Sequence, residues 1–403
     1  MNRNRIFAAL GLLAILALSV VLFMPLSGPV DERTQGGKFG GNVAPGQEPP
    51  IAEMAPPEPV IESPTRGAND SDTHVDIPLY FATNRALNPA PDDDDPASQF
   101  LNEDGDLTWG NATVSIPRNH QMGVLESQGW FGSIFFDPDP EEHVILQAMT
   151  PVDLAAVHDW VQADLATGEN SILMYVHGYN TSLDKAMRRA GQLTYDLGWN
   201  GTSFLFSWPS QGGSLDYFKD STLAERSVFA MRDTLAELAT HDADRIVIIA
   251  HSMGTRVLSK GLAELTRDDP DAASRITTVI LAAPDIDERV FHDQLAPRFQ
   301  TLTDSHFTLY ASAEDSALKV SKRANGFDRI GDTTNGVPDL PGIDVIDATG
   351  VVSDFFGHTY FGDNATILSD IFTMVHDDLP VDQRPLVHQV MQGDQPVWKI
   401  IVD

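Results

Sequence analysis

Apolar segments alternate with amphipathic segments from residue 154 to residue 346. The apolar segments are predicted strands, at residues 172–176, 202–206, 245–250, 277–282, 307–311 and 343–346. Between them, apolar side chains recur every three or four residues, which predicts helices at 154–165, 186–197, 224–238 and 255–265. Buried strands joined by amphipathic helices are typical of a mainly parallel sheet with helices on both faces. The predicted fold class is therefore α/β.

The preceding residues predict a β-rich part, at 74–150, of a domain that extends from 74 to 403. Strands are predicted at 75–82, 112–116 and 143–148. Pro78 is expected at a sheet edge, because proline has no N–H to donate to a neighbouring strand. The acidic stretch 92–106 is interpreted as a solvated surface loop, since its carboxylates lack the twelve-residue spacing and the terminal glutamate of a calcium loop.

Residues 27–73 are predicted to be a disordered linker. The segment contains eight prolines and seven glycines, and Phe39 is its only aromatic residue. Such a composition cannot bury enough apolar area to offset the conformational entropy of the chain.

The first 26 residues predict a membrane anchor. Arg3 and Arg5 precede an uncharged apolar run at 6–24, and a basic flank before an apolar run is typical of an export signal. The run is long enough to span a bilayer, and no small-residue cleavage site follows it. We therefore expect a bacterial membrane protein whose domain is exported to the periplasmic side. The alternative is a periplasmic or secreted protein released after signal cleavage.

The net charge argues against nucleic-acid partners. Twenty-six basic and 58 acidic residues give a formal charge of −32, and such a surface repels phosphate backbones and anionic lipid headgroups. Membrane attachment is therefore expected through the apolar N-terminal segment alone. The absence of cysteine excludes disulfides, thiolate metal sites and a cysteine nucleophile.

The strongest catalytic motif is AHSMG at 250–254. It follows a predicted strand and opens a predicted helix, which is the setting of a nucleophile elbow. Strand and helix crowd together at such a turn, so the residues two before and two after the serine must be small, as Ala250 and Gly254 are. The turn would expose the Ser252 hydroxyl and direct the Met253 N–H towards an oxyanion.

A second motif, HGYN at 177–180, ends the strand predicted at 172–176. By analogy with the HGGG-type loop, it is expected to supply the other oxyanion donor, for which we select the Tyr179 N–H. His177 could in principle act as a base, but its position at a strand end before the nucleophile favours a packing role. Trp208 is equally compatible with a pocket rim and with packing.

The acid and the base of a triad should follow the nucleophile in the order serine, aspartate, histidine. Asp315 comes just after the strand at 307–311 and is the preferred acid; Asp285, after the strand at 277–282, is the alternative. His358 comes after the last predicted strand and is the preferred base. Two other late histidines, His376 and His388, lie in segments that read as helix or tail.

The sequence predicts neither a metal nor a cofactor. The histidines are scattered, without an H-x-H or H-E-x-x-H motif, and no G-x-x-x-x-G-K-[ST] loop is present.

These segments together resemble a bacterial family of α/β-hydrolases of uncharacterised function, usually grouped with esterases and lipases. The resemblance is carried by AHSMGT, YVHGYN, FSWPSQG (206–212), LAAPDID (281–287), FTLYASAED (307–315), GHTYF (357–361), PLYFATNR (78–85) and NATVSIPRNHQMG (111–123). It implies a hydrolase fold with a Ser-Asp-His triad and implies no particular substrate.

The predicted function is a serine hydrolase that cleaves a carboxylic ester, thioester or amide through an acyl-serine intermediate. Its partner would be a small ester or acyl substrate. Two alternatives remain open: an acyltransferase that passes the same acyl group to an alcohol or amine, and a non-catalytic, envelope-tethered binding protein.

Overall fold

The computed structural model describes residues 73–127, 139–213, 216–351 and 364–401. The predicted anchor at 1–26 lies outside the described residues, as does the predicted linker up to residue 72. Among the described residues, no helix is both long and apolar enough to cross a bilayer.

Eleven described strands form one sheet in the order β10-β11-β9-β8-β7-β6-β4-β5-β1-β2-β3. Their bounds are β1 His74–Leu87, β2 Phe100–Pro117, β3 Ile145–Val152, β4 Ser171–Val176, β5 Thr202–Ser207, β6 Arg245–His251, β7 Thr278–Ala282, β8 His306–Ala311, β9 Asp344–Asp347, β10 Val387–Gln392 and β11 Gln395–Ile400. Pairing is parallel from β1 through β5, β4, β6, β7, β8 and β9 to β11. It is antiparallel at both margins, where β2 and β3 extend one side and β10 the other. The predicted, mainly parallel α/β sheet is confirmed.

The helices of the described residues connect these strands. They are α1 Leu154–Thr167, α2 Leu183–Asp196, α3 Tyr217–Arg226, α4 Val228–Leu238, α5 Gly254–Asp268, α6 Pro270–Ser274, α7 Glu288–Val290, α8 Ala296–Phe299, α9 Ser316–Asn325 and α10 Ala365–Asp377; a π-helical turn, Phe291–Leu295, joins α7 to α8. Every residue of β4 and β5 is buried, and separate hydrophobic clusters cover the two faces of the sheet. The unbroken apolar runs of the sequence thus reflect strands that are covered on both sides.

Strand β1 changes partners along its length. Residues 74–79 pair only with β2, whereas residues 80–83 lie between β2 and β5. Pro78 lies in the first part, where β1 has a neighbouring strand on one side only. The expected edge position of Pro78 is therefore confirmed for the first half of β1, although the second half of the same strand lies inside the sheet.

Two local expectations are wrong. Residues 102–106, predicted to be loop, lie within β2, where Asp104 pairs with Arg85 of β1. Their acidic side chains suit this strand because it is exposed along this stretch. His388, predicted to lie in a helix or tail, is part of β10.

Candidate active site

Ser252 lies on a strained turn between β6 and α5. Its φ angle is +52°, in the left-handed region that non-glycine residues rarely adopt. The turn is held from both sides: the Ser252 N–H donates to the Ala282 carbonyl at 2.9 Å, and the Thr255 N–H donates to the Ser252 carbonyl at 3.1 Å. A strained conformation that the surrounding hydrogen bonds over-determine is typical of a functional residue.

The close packing around Ser252 that the AHSMG motif predicts is present in the structure. A Cβ added to Gly254 would lie 2.2 Å from the His177 carbonyl oxygen, a distance that no side chain can occupy. A Cβ added to Gly178 would lie 2.9 Å from the Ser252 Cβ. The loop at 177–180 therefore packs directly against the serine turn, and glycine is required on both sides of the contact.

The two expected oxyanion donors are sequence neighbours of residues in this contact. Tyr179 follows Gly178, whose backbone contacts the serine, and Met253 follows the serine itself. In the described part of the chain, neither the Tyr179 N–H nor the Met253 N–H is hydrogen-bonded to a protein acceptor. Stabilisation of a tetrahedral oxyanion requires N–H groups that are not already committed to protein acceptors.

His177 has a packing role in the structure. Its side chain is fully buried, its Nδ1 donates to the Gly178 carbonyl at 2.9 Å, and its Nε2 lies 3.0 Å from the Ser207 hydroxyl. Burial, together with the nearby Arg85 charge, lowers the pKa of His177 to about 3. Trp208 is also buried; it stacks on the His177 ring and donates to the His177 carbonyl at 2.8 Å.

Arg85 braces the loop at 177–180 from below. The guanidinium is buried and donates to the carbonyls of Thr181 and Ser210, each at 3.2 Å. Burial lowers the pKa of Arg85 to about 9, which leaves it charged at neutral pH. It therefore connects the loop at 177–180 with the segment that follows β5.

Asp220 braces the same loop from α3. Its carboxylate accepts hydrogen bonds from the Ser210 hydroxyl at 2.6 Å, the Gln211 N–H at 2.9 Å and the Asn180 N–H at 3.4 Å. Burial raises the pKa of Asp220. Nothing in the local sequence pattern indicated Asp220, and Arg85 appeared only within a segment used for the family resemblance.

The preferred acid, Asp315, lies two strands away from the serine in the sheet. It follows β8, whereas Ser252 follows β6, and β7 lies between them. Its side chain is fully buried, and its Oδ1 accepts the Leu318 N–H at 2.8 Å as the N-cap of α9. The carboxyl is thus fixed at the same sheet edge as the serine.

The alternative acid, Asp285, has both oxygens occupied. Its Oδ2 lies 2.8 Å from the Arg256 guanidinium and 3.1 Å from the Tyr217 hydroxyl. Its Oδ1 accepts the Ser321 hydroxyl at 2.5 Å and lies 3.3 Å from Arg329 Nε. A carboxylate shared between two guanidinium groups and two hydroxyl groups is suited to holding helices together, and it offers no free oxygen to an imidazole.

The preferred base, His358, lies outside the described residues. The described chain approaches it along β9, which pairs with β8 and aligns Asp347 with Ala311. Beyond this pair, the Ala313 N–H donates to the Thr349 hydroxyl at 2.9 Å. The chain that leads to His358 therefore leaves the sheet beside the loop that carries Asp315.

The chain is similar to the solved structure of a Trichoderma reesei cutinase in complex with a C11Y4 phosphonate inhibitor, over 54% of this chain and 89% of that chain, at 13% identity and a TM-score of 0.27. No curated protein matches.

A family model described as "Alpha/beta hydrolase of unknown function (DUF900)" matches residues 153–375, more than half of the chain. The match begins just before α1 and ends within α10, and it includes Ser252 and the loop at 177–180. It confirms the resemblance drawn from the motifs. The chain therefore has the α/β-hydrolase fold and belongs to the DUF900 family of α/β-hydrolases of unknown function.

Proposed function

We propose that the protein is a serine hydrolase that cleaves a carboxylic ester, or a thioester or amide, through an acyl-serine intermediate. The observation that carries the proposal is Ser252 on a left-handed turn between β6 and α5, against which the Gly178 backbone packs. Membership of a hydrolase family supports a hydrolytic reaction.

The proposed reaction has two steps. The Ser252 oxygen attacks the carbonyl carbon while His358 takes the hydroxyl proton, and His358 then gives that proton to the departing alcohol, thiol or amine. Water next attacks the acyl-serine by the same route and releases the acid. Asp315 would hold the imidazole in the required tautomer and stabilise its charged form.

The carbonyl oxygen becomes an anion in both steps. The N–H groups of Tyr179 and Met253 would donate to it. Removing one such donor costs about 3–4 kcal/mol of transition-state stabilisation in a serine protease, so the packing of the loop at 177–180 would affect the rate strongly, although less than the nucleophile itself does.

A fluorophosphonate probe tests the proposal, because it phosphonylates only an activated serine. The full-length wild type should be labelled, Ser252→Ala should not, and Ser369→Ala, which removes a partly exposed hydroxyl on α10, should be labelled as the wild type. No labelling of the folded wild type, or equal labelling of Ser252→Ala, would refute the proposal.

We propose further that residues 1–26 anchor the protein in the membrane and that the hydrolase domain is exported. The basic residues before the apolar run at 6–24 support this orientation. N-terminal sequencing of the mature protein should find residue 1 or 2, and externally added protease should digest the domain in spheroplasts. A mature N-terminus after residue 24 would contradict the anchor.

A further inference from the structure

Three potential metal ligands meet on one side of the sheet. His158 lies on α1, Glu237 lies near the end of α4, and His241 follows α4 by one turn. His158 Nδ1 is 2.8 Å from Glu237 Oε1, and His241 Nε2 is 3.9 Å from the same oxygen. One ligand atom from each of the three lies within 4.8 Å of the other two.

These separations are close to those of a bound ion. Two ligands of a tetrahedral zinc ion, at their usual bond lengths, are roughly 3.3 Å apart. Glu237 lies in the last turn of α4 and His241 follows three residues after its end, and their side chains approach to 3.9 Å. Small side-chain rotations would therefore bring the three donor atoms to coordination distance without moving either helix.

His241 is a buried imidazole that makes no close polar contact within the cluster, and its unsatisfied nitrogen, Nδ1, is not the one nearest Glu237. Its side chain is 1% exposed, and its Nδ1 has no hydrogen-bond partner among the described residues. The 3.9 Å from its Nε2 to Glu237 is too long for a hydrogen bond.

The surroundings allow an ion to enter and fix the ligand in place. The His158 side chain is 36% exposed, which leaves the cluster open to solvent on one side. On the other side, the Arg275 guanidinium donates to the carbonyls of His241 and Ala243, at 3.2 and 2.7 Å. The backbone that carries the buried imidazole is therefore held in position.

We propose that His158, Glu237 and His241 bind a divalent transition-metal ion of the zinc class, with solvent completing its coordination. Two imidazoles and one carboxylate are a donor set that suits zinc and disfavours magnesium or calcium.

The site is remote from the nucleophile, which indicates a structural role. Glu237 and His241 precede the first residue of β6, and Ser252 follows its last residue. A strand of this length spans roughly 20 Å. The ion would join α1 to α4 across the sheet face instead of taking part in ester cleavage.

The test uses full-length protein stripped with a chelator and titrated with Zn²⁺, and separately with Co²⁺. One equivalent of metal should remain after dialysis, the Co²⁺ form should show the visible absorption of a four- or five-coordinate ion, and the unfolding temperature should rise with Zn²⁺. His158→Ala is the main variant, because His158 is partly exposed and its loss should be tolerated. It should weaken binding at least about tenfold.

The matched control is His292→Ala, which removes an exposed histidine that is also paired with a carboxylate, at 3.0 Å from Asp293, but has no third ligand. It should bind metal as the wild type does. Glu237→Gln provides a second variant that keeps the shape of the side chain. Absence of stoichiometric binding, or equal binding by wild type, His158→Ala and Glu237→Gln, would overturn the site and leave a hydrogen-bonded pair on a helix surface.

Discussion

At the residue scale, the left-handed backbone of Ser252 lowers stability at the position that the proposed function requires. A non-glycine residue in this region costs roughly 1–2 kcal/mol, and the protein retains it at the position that carries the hydroxyl. Ser252→Gly should therefore be more stable than Ser252→Ala by about 1 kcal/mol, although both lack the nucleophile. Urea unfolding of the two variants, with fluorophosphonate labelling absent from each, checks this; equal stability would show that the turn carries no strain.

The two candidate acids should respond oppositely to conversion to an amide. Asp315→Asn keeps an oxygen that can cap α9, so it should fold normally yet label at least about 100-fold more slowly. Asp285→Asn leaves Arg256 and Arg329 without their carboxylate and should lower the free energy of unfolding by about 3–5 kcal/mol, while the folded fraction labels at the normal rate.

Labelling kinetics and urea unfolding of both variants distinguish the roles. Slow labelling by a stable Asp285→Asn, together with normal labelling by Asp315→Asn, would reverse the assignment of the acid.

The sequence indicated residues whose role depends on neighbours in the chain. Ser252 and Met253 could be proposed because a strand, a tight turn and a helix follow one another locally, and Tyr179 because the HGYN motif ends a strand. The Asp285 network could not be found in this way, since its partners come from separate helices and loops. For the proposed metal site, the sequence offered one local indication, the four-residue spacing of Glu237 and His241. His158 joins these two residues only through the packing of α1 on the sheet.

At the element scale, His120 fastens the loop between β2 and β3 to the end of α2. Its two ring nitrogens each lie 2.7 Å from a carboxylate oxygen, of Glu126 and of Asp196. Burial alone would lower the pKa of His120, but these two partners outweigh it and raise the pKa to about 9. A protonated histidine is therefore part of the folded structure.

The raised pKa makes stability depend on pH in a defined direction. The contribution of His120 is complete below its unfolded pKa of about 6.5 and is lost as pH rises through about 9. The free energy of unfolding should fall by up to about 3 kcal/mol between these pH values. His120→Gln should flatten this dependence; urea unfolding at both pH values would contradict the role if wild type and variant declined in parallel.

The loop at 177–180 depends on Asp220, which holds the Asn180 N–H from α3. Asp220→Ala should displace the Tyr179 N–H and slow fluorophosphonate labelling about 10–100-fold. Asp220→Asn keeps one acceptor oxygen and should recover part of the rate. Asp233→Ala, which removes an exposed carboxylate on α4, serves as the control; a normal rate in folded Asp220→Ala would exclude a positioning role.

Strands with apolar sequences could be predicted from the sequence, whereas strands with polar sequences could not. Strands β4 to β9 are apolar because they are covered on both faces. The hairpin β10–β11 was missed because most of β10 is exposed at the margin of the sheet, where polar side chains such as His388 and Gln389 are tolerated. The amino-terminal part of β2 was missed for the same reason.

At the scale of the whole molecule, the charge of −32 should make stability depend on salt. Like charges repel most in the compact state, and salt screens this repulsion once the Debye length falls to about 10 Å. Raising NaCl from about 0.01 to 0.5 M should raise the unfolding temperature by about 2–5 °C. An equal osmolarity of an uncharged solute is the control, and a fall with NaCl would mean that ion pairs dominate.

The carboxylate of Asp285 also determines how the molecule should fail on heating. It joins Arg256 on α5, the helix that begins beside the serine, to Ser321 on α9, the helix that begins at Asp315. Neither helix can detach without breaking contacts to the other, so the proposed nucleophile and the proposed acid should lose their positions together on heating. Heat inactivation should therefore coincide with unfolding in a single sharp transition. No loss of activity should occur while the protein is still folded.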